Sequence, residues 1–225
     1  MSAPDRSTWR PMGFGRRRSG DVPQPLIEPL WEGIRVLVHV EPDGVARIVD
    51  GGGTDLTSRN ADVAAMVASA VEAETAVLDG YLTAQATRSG AGAAIVVVEA
   101  PTASQMVGQM FLGKSGERAV SGAADAPELP HDRGELVAFV AVDLLEVDGT
   151  DLLDVPLLER KRLLDGVLRV SDLVRVGLYV RPPVGPWLVS WRSIGFKRIA
   201  LKAQNGRYVP GTDAEDWAAA DIPRR

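Results

Sequence analysis

The sequence predicts an α+β fold, antiparallel sheets flanked by helices, and three observations carry that prediction. A strand pair joined by a tight turn is written into residues 34–49. Two segments with helical periodicity, 62–72 and 157–168, stand apart from it. Strand and helix patterns do not alternate strictly, which argues against a doubly wound parallel sheet.

In the first strand Ile34, Val36, Val38 and Val40 alternate with Arg35 and His39. Glu41-Pro42-Asp43-Gly44 supplies the turn and Val45–Val49 the returning strand, because Asp-Gly accepts the positive φ that a tight turn needs. Asp62–Glu72 places Val63, Met66, Val67, Ala70 and Val71 on one helical stripe, with Asn60 or Ser58 as the cap. Strands are expected at Thr75–Leu78 and Ala94–Glu99, a helix at Pro101–Phe111 and a loop over 113–134. Leu136–Leu145 is apolar on both faces except at Asp143 and reads as a central strand closed by Asp148-Gly149. Leu157–Leu168 is the second helix, with Asp154 as its cap and Pro156 at its start. Strands at Leu173–Val180 and Arg198–Lys202 follow, with a short helix near Trp187–Ser193 between them. Residues 1–25, rich in Ser, Pro, Gly and Arg, read as a mobile arm, 26–217 as the domain and 218–225 as a tail.

Composition excludes several function classes. The 225 residues contain no cysteine, which removes disulfides, zinc–cysteine sites and thiol nucleophiles. Two histidines, His39 and His131, leave little for a histidine-rich metal site. A net charge of −5 argues against wrapping nucleic acid over the whole surface. No apolar run is long enough for a membrane span, and a cytoplasmic location is expected. Of 25 Lys+Arg only four are lysine (Lys114, Lys161, Lys197, Lys202), so no lysine amine exists before position 114.

Gly108–Ser115 matches the phosphate-loop pattern G-x-x-x-x-G-K-[ST], but its context fails. Such a loop needs a strand before it and a helix after it, whereas here the first glycine falls inside a helical stripe and Met-Phe-Leu fills the loop. The match reads as coincidence.

An ordered set of short segments resembles the adenylation (nucleotidyltransferase) domain of ATP-dependent DNA ligases. Arg10-Pro11-Met12 resembles the opening of that domain, and Glu28–Arg35 resembles its E-x-K-x-D-G-x-R segment. Gly53-Thr54-Asp55-Leu56-Thr57, Val77-Leu78-Asp79-Gly80-Tyr81 and Asp143-Leu144-Leu145 with Asp148-Gly149 follow in order. Pro156–Arg160, Ile199–Lys202, Tyr208–Gly211 and Asp216-Trp217 complete the series, over roughly residues 10–217. The resemblance implies the adenylation fold, a link to DNA repair, and DNA or a DNA-repair protein as partner. The family usually continues into an OB-fold domain, and none is expected in this chain.

The resemblance also implies what is missing. In the family a lysine attacks the α-phosphate of ATP and carries AMP covalently; Leu30 holds that position. Glu32 stands for the aspartate two residues on, Tyr81 for the D-G-E glutamate, Lys197 for a metal-site glutamate and Arg198 for the glycine beside it. Val142 replaces the aromatic residue that packs on adenine. No catalytic or metal-ligating residue is therefore expected, and the implied reading is a pseudoenzyme that binds or scaffolds. The alternatives are an active ligase or nucleotidyltransferase acting with a partner, or a nucleic-acid tether through the arginine arm. Glu28, Arg35, Lys197 and Lys202 are the candidate cofactor-binding residues, for ATP or another nucleotide held without Mg²⁺. Against that stand ordinary structural roles: an Arg35–Asp143 ion pair, Glu28 on the surface, Lys202 pointing into solvent and His39 simply packed.

Overall fold

The computed structural model describes residues 6–87 and 136–223. The expected strand at 94–99, helix at 101–111, loop at 113–134, the Gly108–Ser115 pattern and His131 lie outside those residues.

The largest sheet has strand order β4-β3-β5-β6-β7, with β8 pairing parallel to β6. Its strands are β3 (Ile34–Val40), β4 (Ala46–Asp50), β5 (Ala76–Thr83), β6 (Ala138–Val147), β7 (Thr150–Asp151) and β8 (Val174–Val176). A second, antiparallel sheet runs β11-β9-β2, from Trp217–Asp221, Arg198–Ala203 and Pro25–Pro29. A two-stranded parallel pair joins β1 (Gly13–Phe14) to β10 (Asp213–Ala214). Three helices complete the fold: α1 (Ala61–Ala70), α2 (Leu157–Val167) and α3 (Gly185–Ser193). This is the α+β architecture expected. No helix among the described residues is long and apolar enough to cross a membrane.

The β3–β4 hairpin forms where the alternation and the Asp-Gly turn place it. Gly44 has φ 75° and donates its N–H to the Glu41 carbonyl at 2.9 Å. An L-residue at that φ is strained, so Gly44→Ala should cost about 1 kcal/mol in a thermal or urea melt.

Strand β5 continues five residues beyond the expected Leu78, because Gly80 lets the chain pass where a side chain would not fit. A methyl on Gly80 would collide with the Val140 carbonyl oxygen and the Phe139 ring, and the β5–β6 register shifts at Asp79/Gly80. The expected strand at 173–180 is divided instead. Its start pairs with β6 as β8, while Val180 exchanges two 2.8 Å backbone hydrogen bonds with Ile27 of β2. The segment thus crosses from one sheet to the other.

Both expected helices form, but neither expected cap does. The Asn60 amide donates to the Leu56 carbonyl (3.0 Å) instead of closing α1. Asp154 pairs with Arg207 at 3.1 Å, and Pro156 stands at the start of α2 without a side-chain cap. Residues 6–25 differ from the free arm expected of them. Trp9, Met12 and Val22 are buried, β1 pairs with β10, and the Met12 N–H donates to the Tyr208 hydroxyl at 2.8 Å. Three large apolar side chains spaced through an otherwise polar stretch are enough to anchor it.

Three apolar clusters follow from the layers. One lies between α1 and the β3–β6 face, around Val36, Val38, Ile48, Val67 and Leu78. A second joins the β2/β9/β11 sheet to α3 and to β5 and β6, around Ile27, Trp31, Val140, Trp191 and Leu201. The third, with Trp9, Met12, Leu37, Tyr208 and Trp217, seats the N-terminal segment.

Candidate functional site

The charged residues aligned with the resemblance lie where the two larger sheets face each other. Glu28 on β2 and Lys202 on β9 share one sheet face, because Lys202 pairs in register with Leu26, two residues before Glu28. The Lys202 ammonium lies 3.0 Å from Glu28 Oε2, and Lys161 from α2 lies 2.7 Å from Glu28 Oε1. All three side chains are 5% exposed or less, so Glu28 is not a surface residue and Lys202 does not point into solvent. Lys161 Nζ also donates to the Val142 carbonyl (2.8 Å), and Lys202 Nζ lies 4.5 Å from the Trp217 ring centroid.

Next to this triad stands Arg35 at the start of β3. It makes a bidentate pair with Asp79 (Nε–Oδ1 3.0 Å, Nη2–Oδ2 2.6 Å), not with Asp143. Phe14, Tyr81 and Trp217 surround its guanidinium, with ring centroids 5.4–5.9 Å away. Asp79 Oδ2 accepts a further bond from the Tyr208 hydroxyl at 2.7 Å. Asp143 is claimed by Arg160 of α2 in a second bidentate pair, both bonds 2.8 Å, with both side chains fully buried. Arg160 Nη1 also donates to the Val155 and Gly206 carbonyls.

Burial and charge act against each other throughout this network. Burial would raise the Glu28 pKa, but Lys161 and Lys202 outweigh it and hold the carboxyl below its ordinary value. For Lys202, burial lowers the pKa; Glu28 opposes that and Lys161 adds to it. At Arg35 and Arg160 burial would favour deprotonation, yet the Asp79 and Asp143 carboxylates raise both above the ordinary arginine value. Burial pushes the Tyr81 phenol up to about 12, so it stands as a neutral hydroxyl.

Of the four candidate binding residues, the structure joins Glu28 and Lys202 directly, and Trp217 lies against both Lys202 and Arg35. Lys197 is separate: its side chain is 79% exposed and its ammonium sits 2.7 Å from Glu32 Oε1. Lys161, Arg160 and Tyr208 belong to segments quoted from the sequence but were given no site role there. A signal for two of them was there, since Leu157, Arg160, Lys161 and Leu164 share the inner stripe of α2.

The donor set does not suit Mg²⁺, which takes carboxylate, phosphate and water oxygens. A neutral buried phenol and an ammonium occupy the positions where the resemblance places carboxylates. Nor is there a lysine at the nucleophile position. Leu30 is half-buried and packs into the same apolar cluster as Tyr81 and Val142.

Comparison with known proteins identifies the family and the fold. The family model described as "ATP dependent DNA ligase domain" matches residues 21–179. A DNA ligase of Pyrobaculum arsenaticum is 24% identical over 196 residues, covering 85% of this chain and 30% of that ligase. A DNA ligase of Methanothrix thermoacetophila is 27% identical over 200 residues, covering 85% of this chain and 31% of that protein. The chain therefore spans about a third of the length of these relatives. Among solved structures, the ligase domain of M. tuberculosis LigD superposes with a TM-score of 0.61 at 22% identity, over 96% of this chain and 60% of that one. A mycobacterial DNA ligase D complexed with ATP and MES gives the same TM-score and identity, over 94% and 59%. These likenesses establish the fold, and because the family model covers more than half of the sequence, the chain belongs to the ATP-dependent DNA ligase domain family.

Proposed function

We propose that this chain is a non-catalytic member of its family, a binding or scaffold module built on the adenylation fold. The observation that carries the reading is Leu30 in the nucleophile position, packed in one apolar cluster with Tyr81 and Val142. Covalent nucleotidyl transfer through the protein needs an amine there, and no side chain from the first half of the sequence supplies one. The buried lysines do not substitute for it. Lys161 and Lys202 are both engaged by Glu28 in buried ion pairs. DNA or a DNA-repair protein is the partner that family membership suggests.

Incubation with α-labelled ATP and Mg²⁺, followed by a denaturing gel, should leave the protein unlabelled. A labelled band that is lost on acid treatment would falsify the reading and restore the enzyme alternative.

A second reading has one observation in its favour. The inter-sheet network pairs Arg35, Arg160, Lys161 and Lys202, of which Arg35 is partly exposed, with Glu28, Asp79 and Asp143. That excess cation, with exposed Lys197 nearby in sequence, would suit a nucleotide or another anion bound without Mg²⁺. Calorimetric titration of ATP with and without EDTA tests it. Equal binding in both supports the site; binding that requires Mg²⁺ refutes it.

A further inference from the structure

Helix α3 is anchored by Trp191, 1% exposed, which belongs to the same apolar cluster as Ile199 and Leu201 of β9. A different set of its residues, Gly185, Leu188, Val189 and Arg192, stands at i, i+3, i+4 and i+7 and so shares one helical stripe. That stripe, with Ile222 and Pro223 just after β11, lines a cavity of about 530 Å³. A second cavity of about 770 Å³ shares Arg192, Ile222 and Pro223 with the first and extends to Phe196, Lys197 and Arg198. The two make one trough between α3 and the end of β11. Two contacts set its shape: the Ile222 N–H donates to the Lys197 carbonyl (2.8 Å), and Arg192 Nη1 donates to the Pro223 carbonyl.

The charge of the trough is one-sided. Arg192, Lys197 and Arg198 line it against a single carboxylate, Asp221, in a chain whose net charge is −5. Arg192 is exposed and forms no ion pair with any described residue. Lys197 and Arg198 have only surface carboxylates, Glu32 at 2.7 Å and Asp221 at 3.5 Å, and all four side chains are at least 47% exposed. Such pairs contribute about 0–1 kcal/mol and exchange partners at little cost. The apolar part is open as well. Val189 is 49% exposed, and a Cβ added at Gly185 would meet nothing within 4 Å.

Cations beside an open apolar surface suit a ligand that carries both carboxylates and a large apolar side chain. A nucleic-acid backbone matches less well. It gains nothing from Val189 and Ile222, it meets Asp221, and its length brings it against the net-negative remainder of the chain.

We propose that this trough docks an acidic peptide segment of a partner protein, with carboxylates on Arg192, Lys197 and Arg198 and a leucine or aromatic side chain between Val189 and Ile222. The proposal rests on the binding-module part of the function above and gives that module a surface for a protein partner. It does not require the loss of nucleotidyl transfer, so AMP labelling and peptide docking succeed or fail separately.

The test is fluorescence anisotropy of the full chain with dye-labelled peptides that place phenylalanine or leucine between glutamates. These should bind saturably, and more weakly as salt rises, because exposed charges are screened. Peptides with lysine for glutamate, or glycine for the apolar residue, should lose affinity by about tenfold or more. Arg192→Glu should weaken the acidic peptides by a similar factor and strengthen the lysine peptides. Since Arg192 also holds the Pro223 carbonyl, Val189→Asp is the second variant: it breaks no side-chain hydrogen bond, should melt close to the wild type, and should weaken the acidic peptides as well. Acidic apolar peptides that do not bind, or that bind both variants as tightly as the wild type, overturn the proposal. So does a DNA oligonucleotide whose binding is lost in Arg192→Glu while the peptides are inert.

Discussion

Asp143→Asn should destabilise the protein by about 3–5 kcal/mol, read as a fall in the urea midpoint at neutral pH. The reason is the environment of Arg160. Its side chain is fully buried, both arms of its bidentate pair end on Asp143, and the carboxylate holds its pKa above the ordinary arginine value. Asparagine keeps the shape but removes the charge and turns a donor toward a donor. Arg160 cannot escape by deprotonation, since its pKa lies too high. A double variant, Asp143→Asn with Arg160→Met, should recover part of the loss, because an apolar pair of similar volume needs no counter-charge. Recovery should stay incomplete, since the Val155 and Gly206 carbonyls lose their donor. A single variant as stable as the wild type would mean that Arg160 has another counter-ion.

Glu28→Gln should have an effect of the same size, about 3–5 kcal/mol at neutral pH, with a different pH signature. Glu28 is the acceptor for both Lys161 and Lys202, so the substitution leaves two buried ammonium groups facing each other. Lys202 already has a lowered pKa, from burial and from Lys161, with Glu28 opposing. Removing Glu28 lowers it further. Between that folded-state value and the ordinary lysine value the unfolded chain binds more protons, so the variant's stability rises with pH and part of the loss returns under alkaline conditions. The wild type should show the complementary acid behaviour. Its depressed Glu28 pKa gives stability that is present above the ordinary value of 4.5 and is lost as the pH falls below it. His39, at about 4 against 6.5 when unfolded, adds a decline that begins earlier, as the pH drops from about 6.5 towards 4. Urea melts of both proteins across a pH series check the two slopes together. A variant whose deficit stays constant with pH would mean that Lys202 keeps its proton.

These effects arise where side chains distant in sequence meet, and they mark the limit of what the sequence discloses. The β3–β4 hairpin and helices α1 and α2 could be read directly, because alternation, the Asp-Gly turn and the 3.6-residue stripe are local signals. The caps could not. Asn60 and Asp154 each chose a different available partner, the Leu56 carbonyl and Arg207, and cap sequence patterns do not weigh such competitors. Gly80 was legible only as part of the Val77–Tyr81 segment, past the expected strand end at Leu78, yet the neighbouring Phe139 ring makes it a mid-strand necessity.

The candidate site divides in the same way. From residue identity alone it follows that Leu30 offers no nucleophile and that no lysine precedes position 114, while Tyr81 and Lys197 stand where the resemblance implies carboxylates. Those are statements about which atoms the chain possesses, and no fold can alter them. Which charges are buried, and which partners they take, was decided by tertiary structure. Arg35 went to Asp79, Asp143 to Arg160, and Glu28 to two lysines from α2 and β9. Coulomb energy depends on separation and on how well water is excluded, and the sheet register and the packing of α2 determine both.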